Sequence, residues 1–244
     1  MSRHGATPIL LVHGAWTGAW CWDKVVPLLE DAGHRVAVID LPGLGADTTP
    51  PEEVTLDAYA DRVCGALAQI GEPAVVVGSS MGGIAISHAA ERCPERVGHL
   101  IYLTAFLLAD GETLLGVATT DPEALIPPNL VFNETHTAAT IRPEALGEAL
   151  YGDCSEEDSA WATARLVPQA TAPLGTPVHV TDERWGAIPR TYVHCTDDRA
   201  LTFGCQQQMV AKVGAGTVKT LAASHSPFLS MPGEVAEIIA ASAA

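Results

Sequence analysis

The chain is poor in positive charge. Of its 244 residues, 13 are Lys or Arg and 29 are Asp or Glu, for a formal net charge of −16. A field of that sign repels phosphate backbones and anionic lipid, which argues against nucleic acid and membrane surfaces as partners. The acidic residues are spread along the chain, with short clusters such as Glu156-Glu157-Asp158. Their charge therefore reads mainly as solubility. Long hydrophobic runs are also missing, and none approaches the roughly 18 apolar residues a membrane span needs. The start, Met1-Ser2-Arg3-His4-Gly5, passes into Ile9-Leu10-Leu11-Val12 without the apolar region and cleavage site of a signal peptide, so a cytoplasmic location is expected.

The six cysteines, Cys21, Cys64, Cys93, Cys154, Cys195 and Cys205, contain no CxxC pair. Scattered in this way, they are expected to be reduced, small core residues. The nine histidines form no HExxH cluster, and no His/Cys grouping has zinc-site spacing. Pro42-Gly43-Leu44-Gly45 lacks the Lys-Ser/Thr of a phosphate loop, and no glycine pattern fits a dinucleotide fingerprint. Neither metal nor cofactor is expected. The expected partner is a small-molecule substrate, with the chain a monomer or a homodimer.

What is present is an alternation of short apolar runs and helix-like stretches. Ile9–Val12, Val36–Ile39, Ala74–Val77 and Leu100–Leu103 are near-continuous apolar segments, as in strands buried on both faces of a parallel sheet. Thr191–His194 and Thr217–Leu221 are two later candidates. Helices are expected over Trp22–Asp31, after the Thr55 cap through Ile70 to the stop at Gly71, over Gly82–Arg92 and over Glu234–Ala240. The pattern predicts an α/β fold: a doubly wound, mostly parallel six-stranded sheet. Residues 110–188 break the rhythm. They are expected to form an inserted, mainly helical lid on a core made of 1–109 and 189–244, within one structural domain. The large lid residues Phe132 and Trp161, with Trp16 from the core, are expected to contact substrate.

The strongest local signal is Gly78-Ser79-Ser80-Met81-Gly82, a G-x-S-x-G pattern between a strand and a helix. A serine on so sharp a turn tolerates only very small residues two positions before and after it, and both are Gly. The turn presents the hydroxyl at a helix N-terminus, where backbone N–H groups favour developing negative charge. Ser79 does not fit this frame, because Val77 stands two positions before it. A serine needs a base, and the base needs an orienting acid. In such sheet proteins the chain order is Ser, acid, His. His225 follows the sixth strand candidate. Asp197 and Asp198 follow the fifth, and both qualify as the acid on position alone. The first strand ends in His13-Gly14-Ala15-Trp16, whose Ala15 N–H can join the Met81 N–H as an oxyanion donor.

These segments resemble the α/β-hydrolase superfamily along essentially the whole chain. Within it they are most similar to the branch of plant methyl esterases of the salicylate-binding type and hydroxynitrile lyases, with its bacterial esterase relatives. The resemblance is carried by His13 to Trp22, Asp40-Leu41-Pro42-Gly43-Leu44-Gly45, Gly78 to Gly83, Cys195-Thr196-Asp197-Asp198-Arg199 and Ser224-His225-Ser226-Pro227-Phe228. It implies a triad of Ser80, Asp198 and His225, the acid being the residue just before the basic Arg199. The lyases of that branch carry a hydroxyl residue where Gly14 stands and a Lys where Ser226 stands, so this chain resembles the esterases. The expected activity is hydrolysis of a methyl, aryl or alkyl ester or a lactone of a small, largely apolar acid, through an acyl-enzyme. Other uses of the same residues are a lyase, a thioesterase or cyclase of secondary metabolism, or a ligand-binding receptor with weak turnover.

Overall fold

The computed structural model describes residues 7–243; the opening residues Met1 to Gly5 considered above lie outside them. The chain runs through β1 (Ile9–Val12), α1 (Val26–Asp31), β2 (Val36–Ile39), α2 (Leu56–Ile70), β3 (Ala74–Ser79), α3 (Gly82–Arg92) and β4 (Val97–Leu103). After α4 (Leu114–Ala118) come β5 (Leu130–Phe132), β6 (Ala138–Ile141), α5 (Pro143–Leu150), α6 (Glu156–Thr163), β7 (Gln169–Ala170) and α7 (Ala172–Gly175). The chain closes with β8 (Arg190–Cys195), α8 (Phe203–Val213), β9 (Thr217–Leu221), α9 (Pro227–Ser230) and α10 (Pro232–Ser242).

Six strands form one sheet in the order β2-β1-β3-β4-β8-β9, and every neighbouring pair is parallel. Strands β1 and β3 are buried along their whole length, which is why their sequences are apolar without alternation. Helices cover both faces. Val77, Ile101, Leu103 and Val193 face Val235 and Ile239 of α10. Gly78, the next residue along β3, points the other way, where an added Cβ would sit 2.9 Å from the Ile86 side chain of α3. The strand order reverses at β1, so the crevice beyond the carboxyl ends of β1 and β3 is the switch point where ligands of such sheets bind.

The helix ends follow their capping residues. Thr55, Thr113, Ser155 and Thr202 each accept a backbone N–H from the first turn of α2, α4, α6 and α8. Gly71 ends α2 at φ 82°, a left-handed conformation that glycine adopts without strain. Among the described residues no helix is long and apolar enough to cross a membrane.

Two features differ from the sequence reading. The stretch between β4 and β8 carries the expected helices, α4 to α7, and also an antiparallel sheet, β5-β6-β7, of three, four and two residues that the sequence reading lacked. Strands that short carry no readable periodicity. The cysteines are also not all reduced. Helices α2 and α3 pack face to face and bring Cys64 and Cys93 to a Cα separation of 6.4 Å, where they form a disulfide. Cys21, Cys154, Cys195 and Cys205 are free thiols.

Candidate active site

The turn from β3 into α3 holds Ser80 at φ +54°, a left-handed conformation that costs a non-glycine residue about 1–3 kcal/mol. Backbone crowding explains its glycines. A Cβ on Gly78 would lie 2.8 Å from the Gly82 carbonyl, and one on Gly82 would lie 2.6 Å from the His13 carbonyl oxygen. Gly14 is fixed for the same reason, because a Cβ there would lie 2.9 Å from that of Ser80. The loop after β1 and the serine turn are thus pressed together. Of the four non-glycine residues with positive φ among the described residues, Trp16, Ser80 and Thr104 stand at this site.

The loop after β9 brings His225 to Ser80, with Nε2 2.9 Å from Oγ. The other ring nitrogen, Nδ1, lies 2.7 Å from Oδ2 of Asp198, on the loop after β8. Asp198 is 2% exposed, and its carboxylate is fully engaged. Oδ1 accepts the backbone N–H groups of Ala200 (2.7 Å) and Leu201 (2.9 Å). Oδ2 accepts His225 Nδ1–H and also the hydroxyl of Thr104 at 2.5 Å. Four donors hold this buried carboxylate fixed in direction. The neighbouring Asp197 instead donates its backbone N–H to Ala223 O, which splints the acid loop to the histidine loop.

Thr104 was missed by the sequence reading. It stands just past β4, at the same sheet edge as the other three residues, and a hydroxyl at that edge between β3 and β8 is the available signal. Thr104→Val is expected to lower kcat about tenfold, since hydrogen bonds to charged groups contribute about 1.5–3 kcal/mol. Thr104→Ser should restore most of the loss, and steady-state kinetics on p-nitrophenyl butyrate check both.

Ala15 and Met81 flank Ser80, and among the described residues neither backbone N–H has a hydrogen-bond partner within the protein. Both residues line the cavity that Ser80 and His225 open into. Two unpaired donors beside a hydroxyl–imidazole–carboxylate chain are what an anionic tetrahedral species needs.

His13 braces this loop from below. It is fully buried, its Nδ1 lies 2.8 Å from Gly14 O, and its Nε2 accepts the Leu41 N–H at 3.1 Å. Burial pushes its pKa down from 6.5 to about 4, against the raising effects of the Gly14 carbonyl and Asp40. The imidazole is therefore neutral when folded. An unfolded chain takes up this proton below pH 6.5, while the folded one does so only near pH 4, so stability falls as pH drops through that window. His13→Gln, which cannot titrate, is expected to remove about 3 kcal/mol of that acid-dependent loss. Urea unfolding at intervals from pH 6.5 to 4 measures the difference in slope.

The cavity above Ser80 spans about 520 Å³, part of it open to solvent. Apart from Ser80 and His225 its lining is apolar, with Phe106, Leu114, Leu115, Ile126, Leu150 and Leu174 among the residues that form it. A second, smaller chamber, spanning about 320 Å³ with part of it open to solvent, adjoins Ser80 and His225 against Thr17, Ser79, Tyr151 and Ser226. Trp16 lines both. Phe132 and Trp161 do not reach the cavity. Phe132 is on β5, the outer strand of the small sheet, 43% exposed and packed on the His136 ring. Trp161 meets Trp20 edge-on at 5.2 Å and carries the Arg165 guanidinium at 4.3 Å. Both were expected to contact substrate; the cavity beside Ser80 is instead lined by aliphatic residues of α4, α5 and α7.

A family model described as the alpha/beta hydrolase family matches residues 9–238. The chain belongs to the alpha/beta hydrolase family. A pyrethroid hydrolase of Sphingobium wenxiniae is 36% identical to this hydrolase, over 96% of this chain and 86% of its own. A chloroplastic protein of Arabidopsis thaliana classed as a methylesterase is 31% identical, over 94% of this chain and 70% of its own. The crystal structure of a pyrethroid hydrolase from Sphingobium faniae superposes with a TM-score of 0.85 at 34% identity, covering 97% of both chains. These relatives place the hydrolase among the carboxylic ester hydrolases.

Proposed function

We propose that this hydrolase cleaves uncharged carboxylic esters of largely apolar acids through an acyl-enzyme on Ser80. The observation that carries the reading is the Ser80–His225–Asp198 chain, standing beside two unpaired backbone N–H groups at the mouth of an apolar cavity. His225 takes the Ser80 proton as Oγ attacks the ester carbonyl. The Ala15 and Met81 N–H groups hold the oxyanion, and His225 returns the proton to the leaving alkoxide. Water, activated by the same imidazole, then releases the acid. Asp198 fixes the imidazole tautomer and stabilises its cation. The acyl group occupies the larger apolar cavity, and the alcohol occupies the smaller chamber with its polar rim.

The test is a series of initial rates on p-nitrophenyl acetate, butyrate and octanoate, with p-nitrophenyl hemisuccinate as a charged control. Each methylene moved into the apolar cavity is worth up to about 0.8 kcal/mol, so kcat/KM should climb several-fold per carbon until the cavity is full. The hemisuccinate should be a poor substrate, because nothing in the lining pairs with a carboxylate. No turnover, or a hemisuccinate rate equal to that of butyrate, contradicts the proposal.

A further inference from the structure

The oxyanion loop is tied to the cap at one residue. Trp16 follows Ala15 directly and stands at φ +62°, a left-handed conformation that a bulky residue adopts only when its surroundings impose it. Two hydrogen bonds impose it here, and both come from the cap. The indole Nε1–H donates to Ala139 O on β6 at 2.9 Å, 123 residues away in sequence. The Trp16 carbonyl accepts the Val167 N–H at 2.9 Å, just before β7. The ring itself is 8% exposed and wedged between the apolar cavity, the smaller chamber and a crevice lined by Ile141, Leu146 and Val167.

The cap grips the other site loops as well. Leu125 donates its N–H to Arg199 O in the acid loop at 2.8 Å, and Asp121 accepts the Thr202 N–H at 3.1 Å. The Ser224 hydroxyl, next to His225, donates to the Asp153 carboxylate. Only at Trp16, however, does the grip fall on the residue next to Ala15, through its indole and its carbonyl. Rotating Trp16 out of its left-handed conformation would swing the Ala15–Trp16 peptide, and with it the path of the loop past Ser80.

We propose that Trp16 is a positioning residue: its two hydrogen bonds to β6 and to the strand entering β7 hold the Ala15 N–H aimed at the oxyanion, so the cap sets transition-state binding as well as enclosing substrate. This rests on the ester-hydrolysis reading above. A residue serving only as a wall would contribute equally to substrate and transition state, and losing it would raise KM. A residue that aims an oxyanion donor acts only once the tetrahedral centre forms.

The experiment compares wild type with Trp16→Phe, which keeps an aromatic wall but deletes the indole donor, and with Val167→Pro, which deletes the cap N–H and leaves Trp16 in place. Each is assayed on p-nitrophenyl butyrate and for binding of butylboronic acid, which forms a tetrahedral anionic adduct on a nucleophilic serine, and of butyrate, which does not. Circular dichroism and thermal melting establish that each variant is folded. Both variants should lose about tenfold in kcat and about tenfold in boronic acid affinity, a fraction of the ~10²–10³ that a whole oxyanion donor contributes, with KM and butyrate affinity changed less than about threefold. If folded Trp16→Phe weakens butyrate and boronic acid alike and raises KM at constant kcat, Trp16 is a wall and the proposal is overturned. Unchanged boronic acid affinity in both variants overturns it too. Failure of wild type to bind the boronic acid or turn over the ester would instead overturn the reading of Ser80 on which the proposal stands.

Discussion

Ser80→Ala is expected to lower kcat/KM on p-nitrophenyl butyrate by about 10⁴–10⁶, the range seen when a nucleophilic serine is removed from a base that can act on nothing else. The geometry gives no substitute. The Ser79 hydroxyl belongs to β3, and His225 Nε2 is paired with Ser80 Oγ at 2.9 Å. The residual rate should come from the cavity and the oxyanion donors, which remain intact. The substitution removes one hydrogen bond and leaves the turn, so the protein should stay folded, with a far-UV spectrum matching wild type. Initial rates at matched protein concentration decide the point. A loss below about tenfold would mean that another group attacks the ester.

Asp198→Asn is the second large effect, expected at about 10³–10⁴ in kcat with KM little changed. Its size follows from which oxygen faces which donor. Oδ1 is fixed by the N–H groups of Ala200 and Leu201, so the amide oxygen of an Asn must take that position. Its NH₂ then faces His225 and Thr104. Thr104 can turn its hydroxyl to accept, but His225 can satisfy the NH₂ only by presenting an unprotonated Nδ1. That puts the ring proton on Nε2, the atom that must take the proton of Ser80. The chain of hydrogen bonds survives and the base is lost. Asp197→Asn makes the control. That residue's recorded contact is through its backbone, and its substitution should change kcat less than about twofold.

Much of this site was legible because its parts follow strands. Strands β1, β2 and β9 begin and end where the sequence pattern places them; β1 is a continuous apolar run buried on both faces, whereas the largely exposed β9 is marked by its β-branched residues. Strand β3 runs two residues beyond its apolar run, through Gly78 and Ser79, because the ladder to β4 continues regardless of side-chain polarity. Ser80, Asp198 and His225 could be read from a turn chemistry and a chain order, and the structure brings the three together at one sheet edge.

What escaped the sequence is what depends on packing between distant segments. Thr104 matters through a partner 94 residues away. The Cys64–Cys93 bond needs the docking of α2 on α3. The small sheet of the cap rests on strands too short and too rich in alanine to show a period, and its edge turns Phe132 outward. Aromatic residues in the insertion drew attention as pocket walls. The cavity is instead walled largely by leucines and isoleucine from segments without a distinctive pattern, and the aromatics that do line it, Trp16 and Phe106, come from loops of the core.

The central claim, that Ser80 is the nucleophile, is tested most directly by titration with diethyl p-nitrophenyl phosphate, which leaves a stable phosphoryl group on an activated serine. The account predicts one equivalent of p-nitrophenol per protein chain, loss of esterase activity in parallel, and a diethylphosphoryl adduct that peptide mapping places on Ser80. Retention of full esterase activity after exhaustive treatment, or inactivation by an adduct on a residue other than Ser80, would contradict it.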